Sequence, residues 1–203
     1  MISASVGVHP NTELQNALTI DEIACIADDN KVVAIGETGL DYFRSEGDLS
    51  WQRERFRTHI QAAKELKKPL IIHTREAKED VIQILKEERA EIVGGVMHCF
   101  VDDMETAKKA IDMGFLISFS GIITFKNAKP LQKVAKEVPL EHMLVETDAP
   151  YLAPTPFRGK INKPANVKYV AEFIANLKEI PFDIVAEQTS LNYENKFNKI
   201  NKI

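Results

Sequence analysis

The chain has 203 residues, of which 44% are hydrophobic and 28% charged, and its 26 basic and 30 acidic residues leave a net charge of −4. These values are typical of one soluble globular domain and argue against a membrane-spanning chain or a protein that binds nucleic acid over a broad basic face. Two cysteines exclude a small disulfide-stapled scaffold and favour a reducing compartment, with the cytoplasm as the expected location.

Short β-rich runs alternate with longer helical patterns along the whole chain, which predicts βα units and a parallel sheet. Six apolar runs have the composition of buried strands: residues 2–8, 32–36, 70–72, 92–97, 115–119 and 143–145. Between them, Thr19 with Glu22 and Asp102 with Glu105 form capping-box patterns that open helices. No Gly/Ser linker or short repeat divides the chain, so we predict a single domain over residues 1–203.

The helix predicted over residues 51–66 is amphipathic. Its apolar face carries Phe56, Ile60 and Ala63, and its basic residues lie elsewhere, so we expect an outer helix that packs on the sheet. Cys25 stands at helical spacing among isoleucines and is predicted to be a core residue. Two more helices are predicted after the last strand, over 162–178 and from Asp183 to the C-terminus.

Residues of metal-ligand type stand where the predicted strands end. They are His9, Glu37, His73, His98 and Asp148, each associated with a different apolar run. In a (βα) barrel the carboxyl ends of the strands converge on one face, so side chains far apart in sequence would meet around one point. Histidine nitrogen and carboxylate oxygen suit Zn²⁺, Mn²⁺ or a similar divalent ion, and an open position on such an ion would activate water. The pattern therefore predicts a metal site and hydrolysis.

A lone histidine at a strand end usually hydrogen-bonds a loop carbonyl, so each position has a structural alternative. Four such residues at separate strand ends rarely coincide by chance. We therefore assign the metal role to Glu37, His73, His98 and Asp148. For His9 the structural and the functional roles are equally supported. The two remaining histidines, His59 and His142, are interpreted as surface or packing residues.

Basic side chains in the loops after the strands are candidates for binding an anionic substrate. Arg75 stands two residues beyond His73, and Arg158 stands in the segment 151–164, which is rich in proline and polar groups. Packing alone does not explain that composition, so we interpret the segment 151–164 as a binding loop.

Six ordered motifs run through the chain, and Phe157-Arg158-Gly159-Lys160 follows them. They are Gly7-Val8-His9-Pro10, Gly36-Glu37-Thr38-Gly39-Leu40-Asp41-Tyr42, Ile72-His73-Thr74-Arg75, His98-Cys99-Phe100, Ser118-Phe119-Ser120-Gly121 and Glu146-Thr147-Asp148-Ala149-Pro150-Tyr151. Together they resemble the motifs of the TatD family of metal-dependent hydrolases over essentially the whole chain. The resemblance implies an α/β fold, a TIM (βα)₈-type barrel of the amidohydrolase-like kind. It also implies one or two divalent cations (Mg, Mn or Zn) and a DNA substrate, because the characterised members are mostly deoxyribonucleases, often 3′ to 5′ exonucleases.

The resemblance also implies roles for individual residues. Glu37 is implied to bridge two metals, one of which His73 and His98 complete. Asp148 would serve the other metal and steer the attacking water, so Asp148 and Glu37 are the implied catalytic residues. Three residues are implied to contact substrate phosphate: His9, Arg75 and Arg158.

One motif of the family does not occur in this sequence. The family opens with a strand ending in His-x-His, which supplies two ligands to the site of Asp148, and the five histidines here contain no such pair. The chain begins at what resembles the third strand, so we expect two βα units, roughly 50 to 60 residues, to be missing from a barrel of eight. We therefore predict that one ion binds more tightly than a second. Open sheet edges also predict self-association or complementation by an N-terminal segment.

Three functions are compatible with these residues. The first is cleavage of phosphodiester bonds by a TatD-type deoxyribonuclease, in which metal and arginine neutralise the developing charge. The second is an amidohydrolase-like enzyme that hydrolyses an amide or a lactone. The third is a non-catalytic or weakly active remnant that keeps the fold and one ion. The basic residues Arg75, Lys126 and Arg158 favour a phosphate substrate.

Overall fold

The computed structural model describes residues 2–14, 16, 18–43 and 45–197. Over these residues six strands alternate with helices, as the apolar runs predicted. The strands are β1 (Ala4–Val6), β2 (Val32–Asp41), β3 (Leu70–Arg75), β4 (Gly95–Met97), β5 (Phe115–Phe119) and β6 (Met143–Val145). The α-helices are α1 (Ile20–Ala27), α2 (Ser50–Leu66), α3 (Lys78–Glu87), α4 (Met104–Asp112), α5 (Lys129–Glu137), α6 (Val167–Lys178) and α7 (Phe182–Phe197). None of the described helices is both long and apolar enough to cross a membrane.

The chain divides into two compact units. The first comprises Met1–His98, Asp112–Phe115 and Lys196–Ile203, and the second comprises Cys99–Ile111 and Leu116–Asn195. In the first unit β1, β2, β3 and β4 pair in parallel in the order of the sequence. In the second unit β5 pairs in parallel with β6. Each parallel pair needs a crossover connection, and the helices between the strands provide it.

Strand lengths differ from the predicted runs at the N-terminus and in the middle of the chain. The first strand is limited to three residues, of which Ala4 and Ser5 are exposed, and Ile2 is 88% exposed. The prediction of a buried strand over residues 2–8 is therefore wrong in extent and in burial. By contrast, β2 and β3 continue beyond the predicted ends, because the ladder pairs Gly39 with His73 and Asp41 with Arg75. As a result, Glu37 and His73 lie inside strands rather than after them.

Two helix features confirm the sequence patterns. The hydroxyl of Thr19 accepts the backbone N–H of Glu22, and the Glu22 carboxylate accepts the N–H of Thr19 at 2.8 Å, which completes the predicted capping box. Along α2, the three predicted core residues are fully buried: Phe56, Ile60 and Ala63.

Two other local predictions are wrong. Asp103 rather than Asp102 caps α4, because its carboxylate accepts the N–H and the hydroxyl of Thr106, each at 2.9 Å. Cys25 is exposed rather than buried. The reason is the phase of α1, which turns Ile23 and Ala27, four residues apart, into the core and leaves Cys25 outside.

Candidate metal centre

Four of the residues singled out in the sequence meet around one carboxylate oxygen of the first unit. His73 Nδ1 lies 2.8 Å from Glu37 Oε1. His9 Nε2 lies 3.7 Å from the same oxygen, and His98 Nε2 lies 3.8 Å from it. The parallel order of β1 to β4 brings these residues together, although about ninety positions separate the first from the last.

The backbone of β2 departs from regular strand geometry around Glu37. The register of its ladder to β3 shifts between Ile35 and Thr38, and such an irregularity re-aims a side chain. Glu37 is the one residue of β2 that is not buried. Two residues later, Gly39 has φ of 138°, and a Cβ there would overlap the carbonyl oxygen of His73. Only glycine therefore permits the close approach of β2 to β3 beside the cluster.

The other nitrogen of His73 is held by a buried carboxylate. His73 Nε2 lies 3.0 Å from Asp41 Oδ2, and the Asp41 side chain is 2% exposed. The same oxygen accepts the side-chain N–H of Asn11 at 2.8 Å, and Asp41 Oδ1 accepts the N–H of Phe43 at 3.1 Å. With the ring proton on Nε2, where Asp41 accepts it, the lone pair of Nδ1 faces Glu37, and this is the tautomer that can bind a metal through Nδ1. A carboxylate behind a histidine in this way orients the ring for a metal.

Asp41 was not among the predicted site residues. Gln52 of α2, a second residue that was missed, is fully buried, accepts the backbone N–H of Asp41 at 2.9 Å and donates to the Asp41 carbonyl at 3.2 Å. A signal for Asp41 was present, since it stands four residues after Glu37 and even spacing puts strand residues on one face. For Gln52 no sequence signal distinguishes it from other polar helix residues.

His9 presents a proton, rather than a lone pair, to the cluster. The backbone N–H of Asn11 donates to His9 Nδ1 at 3.1 Å, so the neutral ring carries its proton on Nε2, the nitrogen that faces Glu37. The His9 ring also packs edge-on against that of His73, with 4.5 Å between centroids. An N–H donor suits contact with an anionic oxygen better than it suits metal ligation.

Burial and the neighbouring histidines shift the pKa of Glu37 in opposite directions. Burial raises the pKa of Glu37 and is the largest single influence, but the close contact with His73 and the attraction of the nearby histidines outweigh it, so the pKa lies below its ordinary value. Burial is also the main reason that the pKa of His9 is lowered, and repulsion from His73 adds to it. Glu37 is therefore an ionised acceptor at neutral pH, whereas the neutral form of His9 is favoured.

The donor set fits a divalent cation. Ligand atoms of His9, Glu37 and His73 all lie within 4.8 Å of one another. Since the facing nitrogen of His9 carries a proton, His98, whose Nε2 lies 3.8 Å from Glu37 Oε1, is the better second nitrogen ligand. Two ligands bound to one ion at about 2.1 Å in tetrahedral geometry are about 3.4 Å apart, which falls between the measured 2.8 Å and 3.8 Å separations. Glu37, His73 and His98 supply one oxygen and two nitrogens, the ligand types that suit Zn²⁺ and Mn²⁺.

A buried histidine of α2 holds the chain that leads into His9. His59 is fully buried, its Nε2 accepts the N–H of Val8 at 3.0 Å, and its Nδ1 lies 2.8 Å from the carbonyl of Arg55. The packing role that the sequence suggested for His59 is therefore confirmed. Its hydrogen bond fixes the backbone one residue before His9.

In the second unit, Asp148 stands three residues after β6. It is half-buried, its φ is 55°, and its carbonyl accepts the N–H of Tyr151 at 2.9 Å. Two residues earlier, the Glu146 carboxylate accepts the N–H of Cys99 at 2.8 Å and the hydroxyl of Ser118 at 2.6 Å. Glu146 thus ties the end of β6 to neighbouring segments of its unit, while the metal role of Asp148 stays a prediction.

The predicted binding loop lies between β6 and α6. Asn162, which is 3% exposed, donates from its side chain to the carbonyls of Thr147 and Tyr151, at 2.8 Å and 2.7 Å. Its backbone N–H donates to the carbonyl of Pro150 at 2.9 Å. This one buried amide closes the loop and fixes it against β6. Arg158, at the tip of the closed loop, is exposed.

Comparison of the sequence with known proteins gives a consistent family. The family model described as "TatD related DNase" matches residues 1–198. The chain is 48% identical over 193 residues to the "Uncharacterized metal-dependent hydrolase YcfH" of Escherichia coli K12, covering 95% of this chain and 72% of that protein. It is 49% identical over 199 residues to YabD of Bacillus subtilis, which has the same description, covering 97% of this chain and 77% of that protein.

Solved structures agree with the sequence comparison. A TatD homolog of Escherichia coli K12, YJJV, matches with a TM-score of 0.89 and 28% identity, covering 97% of this chain and 76% of that one. A hydrolase TatD family protein from Entamoeba histolytica matches with a TM-score of 0.84 and 26% identity, covering 96% of this chain and 74% of that one. The predicted α/β fold of the TIM-barrel type is thereby confirmed, with six strands in the described residues.

Proposed function

Because the chain belongs to the TatD family of metal-dependent hydrolases, we propose that it cleaves phosphodiester bonds in DNA, as a 3′ to 5′ exonuclease. The observation that carries the proposal is the arrangement of Glu37, His73 and Asp41. An ionised carboxylate faces one nitrogen of His73 while a buried carboxylate holds the other. This arrangement supports a metal site that is organised in advance for hydrolysis.

Glu37, His73 and His98 would hold one Mg²⁺, Mn²⁺ or Zn²⁺, and Asp148 with Glu37 would serve a second, as the family resemblance implies. Such an ion, when bound, lowers the pKa of water and neutralises charge on phosphate oxygens. Asp148 steers the attacking water towards phosphorus. The Nε2–H of His9 donates to a phosphate oxygen, which is the role that its tautomer supports.

Two arginines bind the phosphate groups of the substrate. The planar fork of Arg75 or Arg158 matches a phosphate with two parallel N–H bonds, which Lys cannot reproduce. The scissile group of an amide or a lactone is uncharged, whereas every phosphodiester group carries a negative charge that the arginines can bind. The arginines therefore favour a phosphodiester over the amide or lactone substrates of other amidohydrolase-like barrels.

The proposal is tested with chelator-treated protein and a labelled single-stranded DNA. We expect no cleavage until Mg²⁺, Mn²⁺ or Zn²⁺ is added, and a loss of activity of about three orders of magnitude in Glu37→Ala. Glu79→Gln, which alters an exposed carboxylate of α3, is the matched control and should keep full activity. Cleavage that survives chelation, or that Glu37→Ala leaves intact, would contradict the proposal. A metal-loaded protein that turns over neither DNA nor amides and lactones would identify a non-catalytic remnant.

A further inference from the structure

Two arginines differ from the others in how their guanidinium groups are used. Among the six arginines that the structure describes, four donate to or pair with protein groups: Arg53, Arg55, Arg57 and Arg89. Arg75 and Arg158 have no hydrogen bond or ion pair from their guanidinium groups within the described part of the chain. A guanidinium has five N–H donors, so both side chains keep a full set for a ligand.

Each of these two guanidinium groups instead lies over a phenylalanine ring. The Cζ of Arg75 is 3.8 Å from the ring centroid of Phe43, and the Cζ of Arg158 is 3.8 Å from that of Phe125. A cation over the ring face is attracted by the aromatic quadrupole. This contact is not a hydrogen bond, so it leaves the N–H donors of the guanidinium available.

The position of Phe43 is fixed by the residues around the metal centre. Its backbone N–H donates to Asp41 Oδ1, and the other oxygen of Asp41 contacts His73. Across the ladder Asp41 pairs with Arg75, whose carbonyl accepts the N–H of Tyr42 at 2.9 Å. Phe43 is 54% exposed, so core burial does not account for an aromatic residue there. The ring and its arginine are therefore held beside the cluster by the same carboxylate that orients His73.

The position of Phe125 is fixed inside the second unit. Its carbonyl accepts the side-chain N–H of Gln132 at 3.1 Å. The N–H of Thr155 in the binding loop donates to the hydroxyl of Thr124 at 2.9 Å, which ties the loop to this segment. A cavity of about 650 Å³ opens here, and its walls include Phe125, Arg158 and Lys160. Arg158 therefore borders a space large enough for a ligand and shares it with a second cation.

We infer that Phe43 and Phe125 are positioning residues that hold two arginines edge-on for substrate phosphate. The inference rests on the proposed function, since a phosphodiester chain supplies more than one phosphate. Stacking restricts the long arginine side chain before the substrate arrives, so less conformational entropy is lost when its N–H groups bind. Phe43 serves Arg75, and Phe125 serves Arg158.

A packing role and a positioning role respond differently to substitution. Leucine keeps most of the apolar volume of phenylalanine but has no aromatic face, whereas tyrosine keeps the face. If the rings only fill space, Phe43→Leu and Phe43→Tyr should bind anions with similar affinity. If they position arginine, the leucine variant should bind anions more weakly than wild type, and the tyrosine variant should have the wild-type affinity.

The experiment measures binding of a labelled single-stranded oligonucleotide, and separately of inorganic phosphate, in the presence of chelator so that no turnover occurs. We expect Phe43→Leu and Phe125→Leu each to weaken binding about two- to fivefold, and the tyrosine variants to match wild type. With metal restored, KM for DNA should rise by the same factor while kcat stays unchanged. Trp51→Leu is the matched control, because Trp51 stacks with Arg55, whose guanidinium already donates to the carbonyl of Thr12.

A double-mutant cycle isolates the positioning effect. On an Arg75→Ala background, Phe43→Leu should have no further effect. Unchanged binding in folded leucine variants, a tyrosine variant as weak as leucine, or the same loss without Arg75 would overturn the inference. So would a wild-type protein that binds neither probe.

The outcomes separate this inference from the proposed function. Normal DNA cleavage with wild-type KM in the leucine variants would leave the proposed function intact and refute the positioning role. Weakened phosphate binding in the leucine variants of a protein that does not cleave DNA would support the positioning role and refute the nuclease.

Discussion

The cluster around Glu37 and the loop that carries Arg158 use polar groups in opposite ways. In the cluster, Glu37 and Asp41 each contact one nitrogen of His73, at 2.8 Å and 3.0 Å, and Asp41 is almost completely buried. In the loop, the buried amide of Asn162 and the hydrogen bond from Thr155 to Thr124 fix the backbone, while the guanidinium of Arg158 lies on an aromatic ring and stays exposed.

The difference follows from the size and charge of what each region is proposed to bind. A small cation needs several ligands at fixed short distances, and buried carboxylates persist only when they are paired, so the cluster is built from mutual contacts. A phosphate chain is larger and stays partly hydrated. An arginine that is oriented but not paired suits it better, since no internal partner must be displaced.

Substitution of Glu37 or Asp148 should have the largest effects, and the two substitutions should differ in metal affinity. Glu37→Gln should lower both metal affinity and hydrolysis, because it removes the charge that three histidines face. Asp148→Asn should lower hydrolysis by orders of magnitude but leave the tighter ion in place, since Glu37, His73 and His98 are intact. Metal titration and measurement of kcat together distinguish the two variants. Equal loss of metal affinity in both variants would show that the tight site extends to Asp148.

Removing the carboxylate behind His73 should have the next largest effect. Asp41→Asn should weaken metal binding about 10- to 100-fold, because a neutral amide orients and polarises the His73 ring less strongly than a carboxylate does. Asp80→Asn is the control: Asp80 accepts the hydroxyl of Tyr42 at 2.5 Å, outside the cluster. Isothermal titration with Mn²⁺ measures both. Similar losses in the two variants would mean that Asp41 acts through the fold rather than through His73.

A conservative substitution in the binding loop should affect substrate binding and leave metal binding unchanged. Arg158→Lys keeps the charge but loses the planar fork, so we expect KM for DNA to rise by about tenfold with metal affinity unchanged. Arg89→Lys, at an exposed ion pair with Glu91, should change neither quantity. A fall in metal affinity in Arg158→Lys would contradict the division of labour between the two regions.

The smallest effect concerns stability and pH. Burial lowers the pKa of His59 in the folded chain, and the hydrogen bond to Arg55 only partly opposes this. The folded pKa is therefore below the unfolded value of about 6.5, so the contribution of His59 is complete above that pH and declines as the pH falls below it. Protonation would also set an Nε2–H against the N–H of Val8.

Thermal unfolding at pH 8 and at pH 5.5 measures this contribution. The free energy of unfolding changes by at most about 1.4 kcal/mol per pH unit for one proton. His59→Gln should be less stable than wild type at pH 8 and should lose less stability on acidification. An equal loss in both proteins would show that other groups cause the acid sensitivity.

The chemical identity of the cluster was predictable because its residue types recur near the ends of apolar strands. Glu37, His73 and His98 were singled out in this way, and the structure brings them together. That Glu37 and His73 lie inside longer strands was not predictable, because ladder pairs such as Asp41 with Arg75 form between backbones and leave no pattern in the side chains.

The supporting residues were harder to find for a related reason. Asn162 and Gln52 each make two side-chain hydrogen bonds to distant or irregular backbone, which no periodicity signals. The stacking of Arg158 on Phe125 joins residues more than thirty positions apart. For β1, the apolar composition predicted burial, but burial depends on neighbours that cover the strand, and Ala4 and Ser5 are exposed.

Calorimetric titration of the metal-free protein with Mn²⁺ tests most directly the central claim that Glu37, His73 and His98 hold the metal. We expect one ion that binds clearly more tightly than any second, and the loss of that tight site in His73→Ala. Two equally tight sites, or tight binding that His73→Ala leaves unchanged, would contradict it.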